Sequence, residues 1–151
     1  MKIKPQDVLN ELQISEIRKK NDFRNIFALL FDWGLMVSGL YIFYFYPSPL
    51  TFMLSVIIIG SRQFALAVLA HDGAHNLLFS NLRVNDFISQ WFCAYPIFQD
   101  NRVYRPYHLK HHRFTETDDD PDLTLSAPFP ISKKSFMRKV ARDMTGLTGY
   151  K

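Results

Sequence analysis

Two uninterrupted apolar blocks constrain this chain more than any other feature. The first, IFALLFDWGLMVSGLYIFYFY, runs from Ile26 to Tyr46 and holds one charge, Asp32. The second, LTFMLSVIIIGSRQFALAVLA, runs from Leu50 to Ala70 and holds one charge, Arg62. A helix of about 20 apolar residues, rising about 1.5 Å at each, crosses the hydrocarbon core of a bilayer. Two buried helices of a soluble domain would look alike locally, but little amphipathic sequence remains elsewhere to cover them. The expected fold is therefore all-α: a multi-pass helical membrane protein with transmembrane helices over 26–46 and 50–70. The turn YPSPL, with two prolines, joins them.

Charge sets the expected orientation. Lys2, Lys4, Arg18, Lys19, Lys20 and Arg24 precede the first span, while the turn between the spans carries no charge. The positive-inside rule then places the N-terminus in the cytoplasm, and a second crossing returns the chain there. The polar N-terminal stretch and the lack of a small-residue cleavage site argue against a signal peptide, so the first span stays in the protein. The expected organisation is a cytoplasmic amphipathic segment over 1–25, with a surface helix from Pro5 to Lys20. A transmembrane hairpin over 26–70 and a cytoplasmic or interfacial region over 71–151 follow. In the last region, VNDFISQWFCAYPIF (84–98) reads as a helix lying in the interface, with Phe87, Ile88, Trp91, Phe92 and Tyr95 on one face. SKKSFMRKVARDM reads as a basic helix that opens at Ser132 and closes before Gly146. The formal charge of +4 suits anionic lipid headgroups. No basic groove pattern points to nucleic acid, and a lone Cys93 excludes an internal disulfide or a paired-cysteine metal site.

All five histidines fall into two short clusters: HDGAH, with His71 and His75, and HLKHH, with His108, His111 and His112. Residues three and four apart share a helix face, so each cluster presents its imidazoles together. Imidazole binds iron, zinc, copper or nickel, and this grouping points to a metal centre. The first cluster directly follows the second span, which places the metal at the cytoplasmic membrane boundary, beside hydrocarbon. HDGAH differs from the zinc-protease pattern HExxH in carrying Asp72 for the glutamate and Gly73 beside it, and that pattern would leave the second cluster idle.

HDGAH, followed by HLKHH and then RFTETDDDPDL, resembles the membrane fatty acid desaturase family, with its HxxxH and HxxHH boxes. The likeness extends from the first span to the end of the chain. It implies a non-haem centre of two iron ions, with His71, His75, His108, His111 and His112 as ligands. It also implies a fatty acyl substrate (lipid-, CoA- or carrier-linked), O2 as oxidant and an electron donor such as a ferredoxin or a cytochrome b5-like protein. The family's third box, another HxxHH, has no counterpart after His112. The chain is therefore expected to be the N-terminal portion of a desaturase, with an incomplete site and no turnover by itself. Carotenoid ketolases or hydroxylases and other lipid hydroxylases share such boxes, and a non-catalytic metal-binding membrane fragment is the reading from a different class.

Supporting residues follow from charge and position. Asp72 and Asp119 are candidates to hydrogen-bond a ligand imidazole from behind. The run Asp118, Asp119, Asp120 and Asp122 otherwise reads as a solvated loop, or as partner to Arg105 and Arg113. Asp32 and Arg62 are costly in lipid, and are expected to pair across the hairpin or to line an acyl channel.

Overall fold

The computed structural model describes residues 8–17 and 19–147. Among these the chain is helical throughout, without strands. It divides into two compact units, 1–109 and 110–151. The first short helix, α1 (Glu11–Ile17), lies within the expected surface helix. Asn10 and Gln13 close a reciprocal cap at its start, each side chain accepting from the other's backbone N–H. Residues 5–7 and 18 of that expected helix lie outside the described residues.

The long helices are α2 (Asp22–Phe45) and α3 (Pro49–Ala74). Both are long and apolar enough to cross a membrane. Asn21 caps α2 by accepting from Arg24 N. Ser48 caps α3 in a reciprocal box with Thr51, and Pro49 stands at the first turn, where its missing N–H costs nothing. The two pack on each other as a hairpin. Gly39 lets Ile58 come within van der Waals reach, and Ser55 Oγ donates to the Gly39 carbonyl at 2.7 Å. Arg62 Nη1 donates to Asp32 Oδ1 at 3.0 Å, which explains how each charge is tolerated within an apolar helix. Only 11% of the most apolar stretch of α2 and 17% of that of α3 is buried by protein. Core helices of a soluble domain would be mostly covered, whereas these faces are exposed and apolar enough for lipid.

Helix α3 runs past Ala70 and carries the first histidine cluster within its last turn. His75 is its C-cap, and Asn76 follows at φ 59°, the left-handed conformation that asparagine tolerates and that stops a helix. Beyond it come α4 (Leu82–Ile88), a π-helical turn (Ser89–Ala94) and a 3₁₀ turn (Tyr95–Ile97). These fill the stretch expected to be one interfacial helix. Their apolar side chains Phe87, Trp91, Phe92 and Tyr95 are exposed, while Asn85, Ser89 and Gln90 are buried. The core of this unit is Leu29, Leu66, Ala70, Leu78, Phe79, Cys93 and Ala94. Helix α5 (Asn101–Phe114) carries the second cluster. In the second unit, α6 (Leu123–Ser126) is a single turn, and α7 (Lys133–Met144) begins on Ser132, which accepts from Ser135 N. Gly146, at φ 73°, follows its end.

The Asp32–Arg62 pair generates a test. Removing Asp32 alone leaves Arg62 unpaired within the apolar span, so Asp32→Leu is expected to destabilise the folded chain by about 2 kcal/mol. Arg62→Leu added to it should restore most of the loss, because two apolar side chains suit lipid. Thermal unfolding of the wild type, both single variants and the double variant in nanodiscs checks this, and additive losses would contradict it.

Candidate metal centre

The first unit brings His71 and His75 of α3 against His108 of α5. Their ring centroids lie 4.6 to 5.0 Å apart, and one nitrogen from each falls within 4.8 Å of the others. His75 Nε2 and His108 Nε2 approach to 3.0 Å. Imidazole–metal bonds of about 2.1 Å, meeting at an angle between square and tetrahedral, separate their nitrogens by roughly 3.0–3.4 Å. The donor set, with the His75–His108 pair at that separation, is compatible with a metal ion. Tyr104, one turn before His108, stacks on the His108 ring at 4.8 Å and 13°. His71 Nδ1 stands 3.4 Å from Asp72 Oδ1, a long contact between two half-exposed groups.

The end of α3 is held from outside. The last carbonyls of a helix have no intrahelical donor. The Gly73 carbonyl accepts from Asn85 Nδ2 at 2.9 Å, from Arg105 Nη2 at 2.9 Å and from Asn76 N at 3.0 Å. The Ala70 carbonyl accepts from Asn101 Nδ2 at 2.9 Å. Asn85, fully buried, also accepts from Leu78 N and Phe79 N, so it ties the loop after the box to the box itself. Arg105 is paired with Asp86, and this bond, outweighing burial, holds the Asp86 carboxyl below its ordinary range. Arg105 thus has Asp86 as its partner within the first unit. Gly73 has its own reason: a Cβ there would overlap Ser89 Cβ.

His111 and His112 belong to the second unit. His111 Nδ1 lies 2.7 Å from Asp120 Oδ1 and 3.5 Å from Asp122 Oδ2. The bond to Asp120 is the main reason the imidazole is raised above its ordinary pKa. It turns Nδ1 toward the carboxylate and Nε2 to the opposite side of the ring, an arrangement familiar behind metal-bound histidines. Asp120 is buried and also accepts from Asp122 N and Glu116 N. Burial by itself would raise its carboxyl; the bonds from His111 and from those two amides outweigh it and keep the group below the usual range. The carboxylate behind a box histidine is thus Asp120, one residue beyond Asp119, whose own side chain is exposed. His112 stands one turn beyond His108 on α5.

Sequence reasoning passed over Asn85, Asn101, Tyr104 and the Gly73–Ser89 contact. Polar residues between apolar ones in 84–98 were the available signal, since an asparagine or glutamine buried near a membrane must be hydrogen-bonded.

Comparison with known proteins gives the family. The Fatty acid desaturase family matches residues 47–151. The chain belongs to that family. It is 40% identical over 72 residues to dihydrorhizobitoxine desaturase of Bradyrhizobium elkanii, a stretch covering 46% of this chain and 20% of that protein. The matched stretch is therefore about a fifth of the relative's length. No solved structure matches.

Gly73→Ala is expected to destabilise the chain by about 1–3 kcal/mol through overpacking. Ser89→Gly, which removes the Cβ it would strike, should recover most of the loss when combined with it. Unfolding of the single and double variants measures this; a well-tolerated Gly73→Ala would mean that the contact is not as close as described.

Proposed function

We propose that this chain supplies the membrane hairpin and two histidine boxes of an O2-dependent fatty acid desaturase. The observation that carries the reading is the convergence of His71, His75 and His108 at the end of a helix fit to cross a membrane. His71, His75, His108, His111 and His112 would hold two iron ions. That group, when bound, supplies the redox chemistry by which O2 and two electrons remove two hydrogens from neighbouring carbons, releasing water. A ferredoxin or cytochrome b5-like protein is the proposed electron donor.

The protein's own part is placement. The imidazoles stand at the end of an apolar helix, where a hydrocarbon chain can lie beside them without leaving lipid. Asp120 fixes the His111 ring by its Nδ1, and the pinned last turn of α3 fixes His71 and His75. The basic N-terminal flank supports a cytoplasmic location for both boxes and for the N-terminus. The relative is named for dihydrorhizobitoxine, which supports a second reading: the same desaturation on a substrate other than a fatty acyl chain.

Loaded anaerobically with ferrous iron in nanodiscs, the chain is expected to retain iron after desalting. His75→Ala and His108→Ala should each weaken retention at least tenfold; unchanged retention in both would remove the metal reading. In an active preparation, replacing any of the five histidines by alanine is expected to abolish turnover, read by gas chromatography of the acyl products. Asp119→Ala, at an exposed position, should be mild.

Topology is tested by a membrane-impermeant maleimide on intact cells. A cysteine at Ser48 should be labelled and one at Ser132 should not. The native Cys93 will stay silent, since it is fully buried and burial, with the Asp32 carboxylate nearby, pushes its thiol up to about 12. The reverse labelling pattern would invert the proposed orientation.

A further inference from the structure

The residues that lead into α2 are tied to the loop after the first histidine box. Lys20 Nζ donates to the Phe79 carbonyl at 3.4 Å and Asn25 Nδ2 to the Leu78 carbonyl at 2.6 Å, while Asp22 Oδ1 accepts from Ser80 N at 2.8 Å. Between this seam and the end of α3 lies a cleft of about 370 Å³. Lys19, Lys20 and Arg24 line it, together with Ala28 of α2 and with Leu69 and Asp72 of α3.

Charge and apolar surface are sorted along the cleft. Ala28 and Leu69 belong to the two apolar blocks, whereas Lys19, Lys20 and Arg24 precede the first of them. None of these three basic side chains forms an ion pair among the described residues. Asp22 is engaged by the backbone and hydroxyl of Ser80. Asp72 stands 3.4 Å from His71 Nδ1 and is a single carboxylate against three cations. Lys19 and Arg24 are exposed. Attraction between such charges reaches about 10 Å at 0.1 M salt, so it does not depend on which atom faces the cleft. Cations set here for the dipole of α3 would have to meet its last carbonyls. Those of Ala70 and Gly73 accept from Asn76, Asn85, Asn101 and Arg105 instead. A soluble anion would meet the cations and leave the apolar wall wet; an anionic amphiphile covers both. Basic pockets between membrane helices at headgroup level take anionic lipid heads for this reason.

We propose that this cleft binds one anionic phospholipid, its phosphate among Lys19, Lys20 and Arg24 and an acyl chain along Ala28 and Leu69. The lipid is a resident ligand of the hairpin and not the substrate. The proposal goes beyond the desaturase reading and needs only that the hairpin lie in a bilayer. Through Asp72 the bound lipid adjoins the first histidine box.

The test uses the whole chain, delipidated in a neutral detergent, with native mass spectrometry to count bound lipid. Phosphatidylglycerol and phosphatidylcholine with the same acyl chains are supplied in equal amounts. One phosphatidylglycerol should be retained in preference, by about tenfold or more. Lys19→Gln and Arg24→Gln should each cut that preference about fivefold, the effect of one basic residue at a membrane surface. Arg24→Lys should keep it. Lys134→Gln, on α7 in the second unit, makes the same change in net charge and should leave the preference intact. Glycerophosphoglycerol, the head group without chains, and coenzyme A, a soluble phosphate carrier, should both bind more weakly than the lipid by about tenfold or more. Equal retention of the two lipids, equal losses from Lys134→Gln and Arg24→Gln, or head group or coenzyme A binding as tightly as the lipid would overturn the proposal. The wild-type comparison of the two lipids decides even if a variant fails to fold.

Discussion

The last turn of α3 is where the demands on this molecule meet. The last carbonyls of a helix have no donor within it, and those buried by neighbouring elements must be met from outside. Here the Gly73 carbonyl takes side-chain donors from Asn85 and Arg105, and the Ala70 carbonyl takes one from Asn101. Those three residues come from α4 and α5, so meeting a local need of one helix also joins three helices. His71 and His75 ride on the turn so held, and His108 lies one turn beyond Arg105. The positions of three imidazoles therefore follow from the capping of a single helix end.

The segment after the first box has an inverted character that would suit a lipid surrounding. Its exposed face is aromatic and its buried face is polar, with Asn85, Ser89 and Gln90 turned inward. In water that arrangement would be unstable. Beside a bilayer, apolar side chains have nothing to gain from the protein interior, and polar ones must find partners there. The Asp32–Arg62 pair obeys the same rule within the spans, where each charge is tolerable because the other meets it.

The two boxes orient their histidines by different means. In the first, backbone does the work: a glycine without a Cβ lets Ser89 close on the turn, and side-chain caps hold the carbonyls. In the second unit a buried carboxylate does it. Asp120 gathers His111 Nδ1 and the amides of Glu116 and Asp122 into one turn, so that the residues after the box secure a ring within it. A run of four aspartates in five residues reads as solvated, but only because nothing local says which one turns inward.

The sequence by itself determined the two spans, the placing of His71 and His75 on one helix and the opening of a helix at Ser132. All of these depend on composition or on spacings of three and four residues, which a helix translates directly into position. It also raised the pairing of Asp32 with Arg62, because an isolated charge in lipid demands a partner. Only the tertiary structure decided that His108 meets His71 and His75, since they are more than thirty residues apart and no local rule relates them. Only it chose Asp120 over Asp119, a choice made by which carboxylate the turn buries. The roles of Asn85, Asn101 and Arg105 were beyond sequence reasoning for the same reason: a polar side chain reveals that it needs a partner, and the fold alone supplies which one.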